Sequence, residues 1–251
     1  MKRVLRNLLT VAATAMFAWV GHAQASVVVT GTRVIYPANE REVTIRVNNV
    51  GKTPSLVQAW LDTGEAGVSP DKIDVPFTLT PAMFRLDPTK GQTMRLIYSQ
   101  APLPTDKETM YWLNVLEIPP KAKPGEADAS QLQLAFRTRI KVFFRPVGLP
   151  GQPEQAPGQV KWQVVHKSDG YHLKGTNPTP YFVNYGGINL VSGGQTLDAG
   201  GGYIAPGESA EFPVTGLKGA PKAGAQVRYS FLNDFGASVS GEAPATGAPA
   251  N

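Results

Sequence analysis

The chain has 251 residues, 42% of them hydrophobic, with 24 lysines and arginines, 19 acids and no cysteine. No disulfide can brace such a chain, so its fold must be held by burial alone, and the length admits one large or two medium domains. The net charge of +5 is inflated by the first few residues and gives no reason to expect nucleic acid as a partner.

Lys2, Arg3 and Arg6 precede an apolar run from Leu8 to Val20, and Ala23, Gln24 and Ala25 supply the small residues of a cleavage site. This is the pattern of a secretory signal peptide spanning residues 1–25. The thirteen-residue run is too short to cross about 30 Å of hydrocarbon. No later segment is long and apolar enough to do so, and no stable membrane insertion is expected. The mature chain then begins near Ser26, with 21 cations against 19 acids and a net charge of +2.

From Ser26 onward the chain reads as short alternating segments. Val43, Ile45 and Val47 alternate with Thr44, Arg46 and Asn48, and Val57, Ala59 and Leu61 alternate with Gln58, Trp60 and Asp62. Period two with proline and glycine punctuation marks a β-sandwich or barrel. The most telling segment runs from Gln131 to Arg145 and is closed by Pro146. It reads as one long strand of about 50 Å, opening with Leu132, Leu134 and Phe136 at period two and ending among Arg137, Arg139, Lys141 and Arg145. A strand that long outreaches its neighbours and leaves an edge with unpaired N–H and C=O groups. Proteins normally blunt such edges. An open, apolar one is suited to pairing with another chain, although period two alone is equally met by a core strand shared between sheets.

The proline-rich stretch from Pro146 to Gly158 cannot continue a ladder and is read as the boundary between domains at 26–147 and 148–240. Beyond it Val160, Trp162 and Val164 form an alternating face, Asp169 and Gly170 form a hairpin signal, and Val227, Tyr229 and Phe231 mark a last strand. The tail at 241–251 has little to bury and reads as disordered.

The segment from Leu103 to Pro120, LPTDKETMYWLNVLEIPP, closely resembles the signature of the periplasmic pilus-assembly chaperones of the chaperone–usher pathway, the PapD-like family. Thr32 to Tyr36, Ile140 to Pro146, Asn177 to Tyr181 and Leu232 to Gly236 follow in that family's order. The resemblance implies an all-β protein of two immunoglobulin-like sandwiches arranged as a boomerang, residing in the periplasm and working without ATP or cofactor. Its implied partners are pilus or fimbrial subunits and an outer-membrane usher.

Carried over residue by residue, the resemblance makes Arg33 and Lys141 the anchor for the C-terminal carboxylate of a pilus subunit. It makes Leu132, Leu134 and Phe136 the residues lent to an incomplete pilin fold, and Glu108, Arg145 and Asp234 an interdomain charge cluster. Lys141 lies an odd number of residues from Phe136, so an unbroken strand would put the two on opposite faces. Either a bulge or twist intervenes, or the cleft lies on the other side. The cysteine-free loop at 121–130 resembles the short-loop class, and the exposed edge leaves room for a capping self-association of the free protein.

The rival reading is an exported adhesion or glycan-binding module using exposed aromatics such as Trp60 or Trp162. A hydrolase would need catalytic groups that the sequence does not offer, since no nucleophile elbow or P-loop occurs. His166 and His172 read as surface strand residues with no metal to hold.

Overall fold

The computed structural model describes residues 25–121 and 133–247. The leader up to Gln24, residues 122–132 with Leu132 among them, and the end of the tail lie outside the described residues. Among the described residues no helix is long and apolar enough to cross a membrane.

Among the described residues the first domain is a sandwich of nine strands. They are β1 (Val27–Val29), β2 (Arg33–Pro37), β3 (Glu42–Asn49), β4 (Ser55–Asp62), β5 (Phe77–Thr80), β6 (Met83–Leu86), β7 (Gly91–Tyr98), β8 (Thr109–Ile118) and β9 (Phe136–Arg145). One sheet runs β1-β3-β7-β5 and the other β2-β9-β8-β4-β6. Alternation places Ile45 and Val47 of β3, Val57, Ala59 and Leu61 of β4, Tyr111, Leu113 and Val115 of β8, and Ile140, Val142 and Phe144 of β9 in one core. Tyr36, Phe77, Tyr98, Tyr111 and Phe144 form an aromatic cluster within it, an arrangement that adds edge and tilted ring contacts to the area buried.

The second domain contains β10 (Lys161–Lys167), β11 (Gly170–Thr176), β12 (Val183–Ser192), β13 (Gln195–Asp198), β14 (Gly202–Ile204), β15 (Ser209–Pro213), β16 (Gln226–Leu232) and β17 (Ser238–Thr246). Their hydrogen-bonded order is β13-β12-β16-β17-β10-β11-β15, with β14 paired to β12. Trp162, Tyr185, Phe212 and Tyr229 lie in its core. Gly186 and Gly187 form a bulge within β12, where the register against β16 shifts between Tyr185 and Gly187. Between the domains lie a 3-10 turn at Pro153–Gln155 and the one-turn helix α1 (Ala156–Gln159).

Three sequence expectations need correction. The strand read from Gln131 begins only at Phe136, and residues 133–135 have no regular structure. Its partner explains why: Phe136 pairs with Glu117, one residue before β8 ends, and Pro119 and Pro120 follow. Neither proline has an N–H to extend the ladder.

The tail read as disordered from Gly241 instead forms most of β17, which pairs with β16 from Gln226↔Pro244 to Leu232↔Ser238 and runs parallel to β10 at Trp162 and Gln163. Its small residues suit its position, because a Cβ at Gly241 would collide with the Tyr229 ring. Finally, His172 is buried and its Nε2 lies 3.0 Å from Asp169 Oδ1, whereas His166 is exposed.

Candidate functional site

Strand β2 runs parallel to β9 with Arg33 opposite Lys141 and Pro37 opposite Arg145. The pairing covers only the second half of β9. Among the described residues the strand from Phe136 to Ile140 bonds to β8 alone, so its other side is an open edge. That edge looks across a groove towards β1, lined by Val28, Gly31, Val50, Thr138 and Ile140. Just before it, Leu134 is 48% exposed, while Phe136 is half-buried. Leu132 lies outside the described residues.

The register of β9 on β8 is unbroken from Phe136 to Phe144. No bulge intervenes, and the parity question resolves geometrically. Phe136 shares its parity with Ile140, Val142 and Phe144 of the core, whereas Lys141, Phe143 and Arg145 are on the opposite side and meet the second domain.

Arg33 and Lys141 stand together because they are register neighbours on adjacent strands. Arg33 Nη1 donates to the Leu232 carbonyl at 2.8 Å, and its buried Nε has no hydrogen-bond partner among the described residues. Lys141 Nζ donates to Asn184 Oδ1 at 2.6 Å and lies over the rings of Tyr203, at 4.3 Å, and Trp112, at 5.4 Å. Among the described residues neither cation has a carboxylate within ion-pair distance. Burial and then the neighbouring Arg33 charge pull the Lys141 ammonium down to about 8. Burial also lowers Arg33, with Asp234 acting in the opposite direction. Two unneutralised cations, one with an unused donor, form a site that an anion would relieve. A carboxylate fits the guanidinium fork.

Arg145 gathers the remaining predicted charges. Its Nε donates to Glu108 Oε1 at 2.6 Å, and Nη1 and Nη2 donate to the two Asp234 oxygens at 2.6 and 2.9 Å. Glu108 also accepts from the Phe182 N–H at 2.7 Å, and its own N–H donates to the Pro180 carbonyl. Burial disfavours the Arg145 charge, but the bonds to Asp234 and Glu108 outweigh it and hold the guanidinium more firmly protonated than usual. One side chain of the first domain thus grips an acid from each domain.

Several participants escaped the sequence reading. Asp62, 1% exposed, accepts from Arg137, Arg139 and Asn114. Arg137 and Arg139 stack on Trp60 and Trp112 at 4.9 and 4.8 Å, which stiffens the outer face of β9 beside its open edge. The signal was available in the sequence, since three cations at alternate positions of one strand need acids or aromatics on the neighbouring strands. Asn184, Tyr203 and Leu232 carried no such signal. Trp162, offered as an exposed aromatic of an adhesion module, is 3% exposed and belongs to the core.

Comparison with known proteins places this geometry. Residues 26–150 match the family described as "Pili and flagellar-assembly chaperone, PapD N-terminal domain", and residues 155–243 match "Pili assembly chaperone PapD, C-terminal domain". The chain is 43% identical over 221 residues to the probable fimbrial chaperone YadV of Escherichia coli K12, covering 87% of this chain and 89% of the relative. It is also 43% identical over 218 residues to the chaperone protein FimB/FhaD of Bordetella pertussis, covering 85% and 86%. The crystal structure of YadV superposes with a TM-score of 0.76 at 41% identity, over 88% of this chain and all of that one. A structure of the Salmonella enterica SafA pilin in complex with the SafB chaperone matches with a TM-score of 0.72 at 28% identity, over 89% and 98%.

Proposed function

The chain belongs to the PapD family of pilus-assembly chaperones, and from that premise we propose that it captures pilus subunits in the periplasm, completes their fold with its own strand and hands them to an outer-membrane usher. The export step removes the leader near Ala25 and Ser26. The open half of β9 is the observation that carries the reading, since β2 stops pairing at Lys141 and, among the described residues, nothing pairs with Phe136 to Ile140 on that side.

A strand of the pilin pairs there, and Leu132, Leu134 and Phe136 enter its uncovered core. Each buried side chain is worth about 1.5–3 kcal/mol, so three hold a pilin folded without ATP. The pilin's C-terminal carboxylate takes its place between Arg33 and Lys141 and fixes the register of the paired strands. Arg145, holding Glu108 and Asp234, sets the angle between the domains that frame this anchor. Release follows when the N-terminal extension of the next pilin replaces the lent strand.

Alanine at Arg33 or Lys141 tests the anchor. Both variants are expected to keep the parent circular dichroism spectrum and to bind pilus subunits about 30-fold or more weakly, the cost of removing one partner of a hydrogen-bonded charge pair. Undiminished co-purification of subunits with both variants would overturn it.

A further inference from the structure

Glu117 ends the core face of β8 and is 7% exposed. Its oxygens accept from the backbone N–H groups of Ser26 and Val27, each at 3.0 Å, from the Ser55 hydroxyl at 2.9 Å and from the Ser26 hydroxyl. Among the described residues no lysine, arginine or histidine lies within ion-pair distance of it. Its cross-strand partners are Val57 and Phe136, and the side chains that bond to it are two serines, all uncharged. Buried carboxylates ordinarily have a cationic partner. Among the described residues this one has four neutral donors and no counter-charge.

One of those donors is the nitrogen of Ser26. In the unprocessed chain it is a peptide N–H joined to Ala25, the last residue of the cleavage pattern from Ala23 to Ala25. Hydrolysis of the bond between Ala25 and Ser26 adds water across it, leaves a carboxylate on the departing leader and frees an amine on Ser26, which is protonated at neutral pH. The new charge arises on an atom already 3.0 Å from Glu117 Oε2.

We propose that leader removal after Ala25 supplies the missing cation, so that the Ser26 α-ammonium and Glu117 form a buried ion pair that completes the first domain only in the processed chain. The pair joins the two sheets of the sandwich, because Ser26 leads into β1 of one sheet and Glu117 belongs to β8 of the other. It also lies beside the start of the open edge, since Glu117 is the register partner of Phe136. Processing therefore firms the platform from which the lent strand departs. This inference rests on the processing site named above.

The test compares the chain beginning at Ser26 with one retaining Ala25, both ending at Asn251. Urea unfolding is followed from pH 6 to pH 10, and the mass of the exported protein is measured alongside. The ammonium is favoured by Glu117 in the folded state, so its pKa there lies above the peptide value of about 7.7–8.0. The added stability is fully present below that value and is lost as pH rises through the folded pKa. At pH 6.5 the Ser26 chain is expected to unfold at higher urea, with a tenfold larger folding constant for each unit of raised pKa. The Ala25 chain should lack both the gain and this pH dependence, and Glu117→Gln should remove the difference between the two. Superimposable curves for the Ser26 and Ala25 chains would overturn the ion pair while leaving the processing site intact. An exported mass that begins elsewhere would overturn the processing site itself.

Discussion

At the scale of single residues, Lys141 gives the site a pH signature. Its ammonium is lowered to about 8 by burial and by Arg33, and an incoming carboxylate favours the charged form and raises it again. On the proposed anchoring, capture takes up a proton above pH 8. Affinity should be level below pH 8 and fall as pH rises through that value, by up to tenfold per unit, in calorimetric titrations with a peptide that ends in the free carboxylate of a pilin. Lys141→Arg should flatten the profile. The free protein behaves in the opposite sense: between pH 8 and the ordinary lysine range the unfolded chain holds a proton that the folded one has released, so this residue's contribution to stability rises with pH.

At the scale of elements, β9 divides its labour along its length. Its second half is locked between β2 and β8 and packs Val142 and Phe144 into the core. Its first half keeps one side free. Leu134, just ahead of it, is exposed in the free protein, so Leu134→Ser should shift the unfolding free energy by no more than about 0.5 kcal/mol. The same change should weaken pilin binding about 10- to 150-fold, the equivalent of one buried leucine. Equal losses in stability and binding would mean that Leu134 serves its own domain instead. The charged outer face works with this division, because Asp62 and two tryptophans hold Arg137 and Arg139 in place beside the open edge.

For the whole molecule, the contacts between the sandwiches gather around Arg145 and the two cleft cations. Arg145 joins Glu108 to Asp234, and the loop carrying Asp234 reaches β2 closely enough that a Cβ on Gly236, at φ +81°, would overlap the Thr32 hydroxyl. Arg145→Ala leaves the side chain of Glu108, 2% exposed, without its cation. A loss of about 3–5 kcal/mol is expected, together with separation of one calorimetric transition into two as the domains uncouple. A single transition at the parent temperature would show that the cluster does not hold the domains. Gly236→Ala should have a milder effect of the same kind, since the left-handed backbone and the Thr32 contact both disfavour a side chain there.

Much of this was written in local pattern. Alternation at Val43 to Val47 and Val57 to Leu61 declared strands and their inner faces, because period two is a property of the chain and needs no partner. The tail misled for the complementary reason. A strand of small residues buries little, and β17 exists because β16 and β10 offer backbone groups on both sides and Tyr229 needs the space at Gly241. The sequence by itself determined the all-β class, the inward and outward faces and the charges available to the cleft, since these follow from residue type and spacing. The resemblance had already paired Arg33 with Lys141; only the tertiary structure decided that they are register neighbours on parallel strands, that Asn184 and Leu232 face them, and that Glu117 waits beside Ser26. Those neighbours come from strands far apart in the chain, and register between distant strands is a matter of packing that no local pattern encodes.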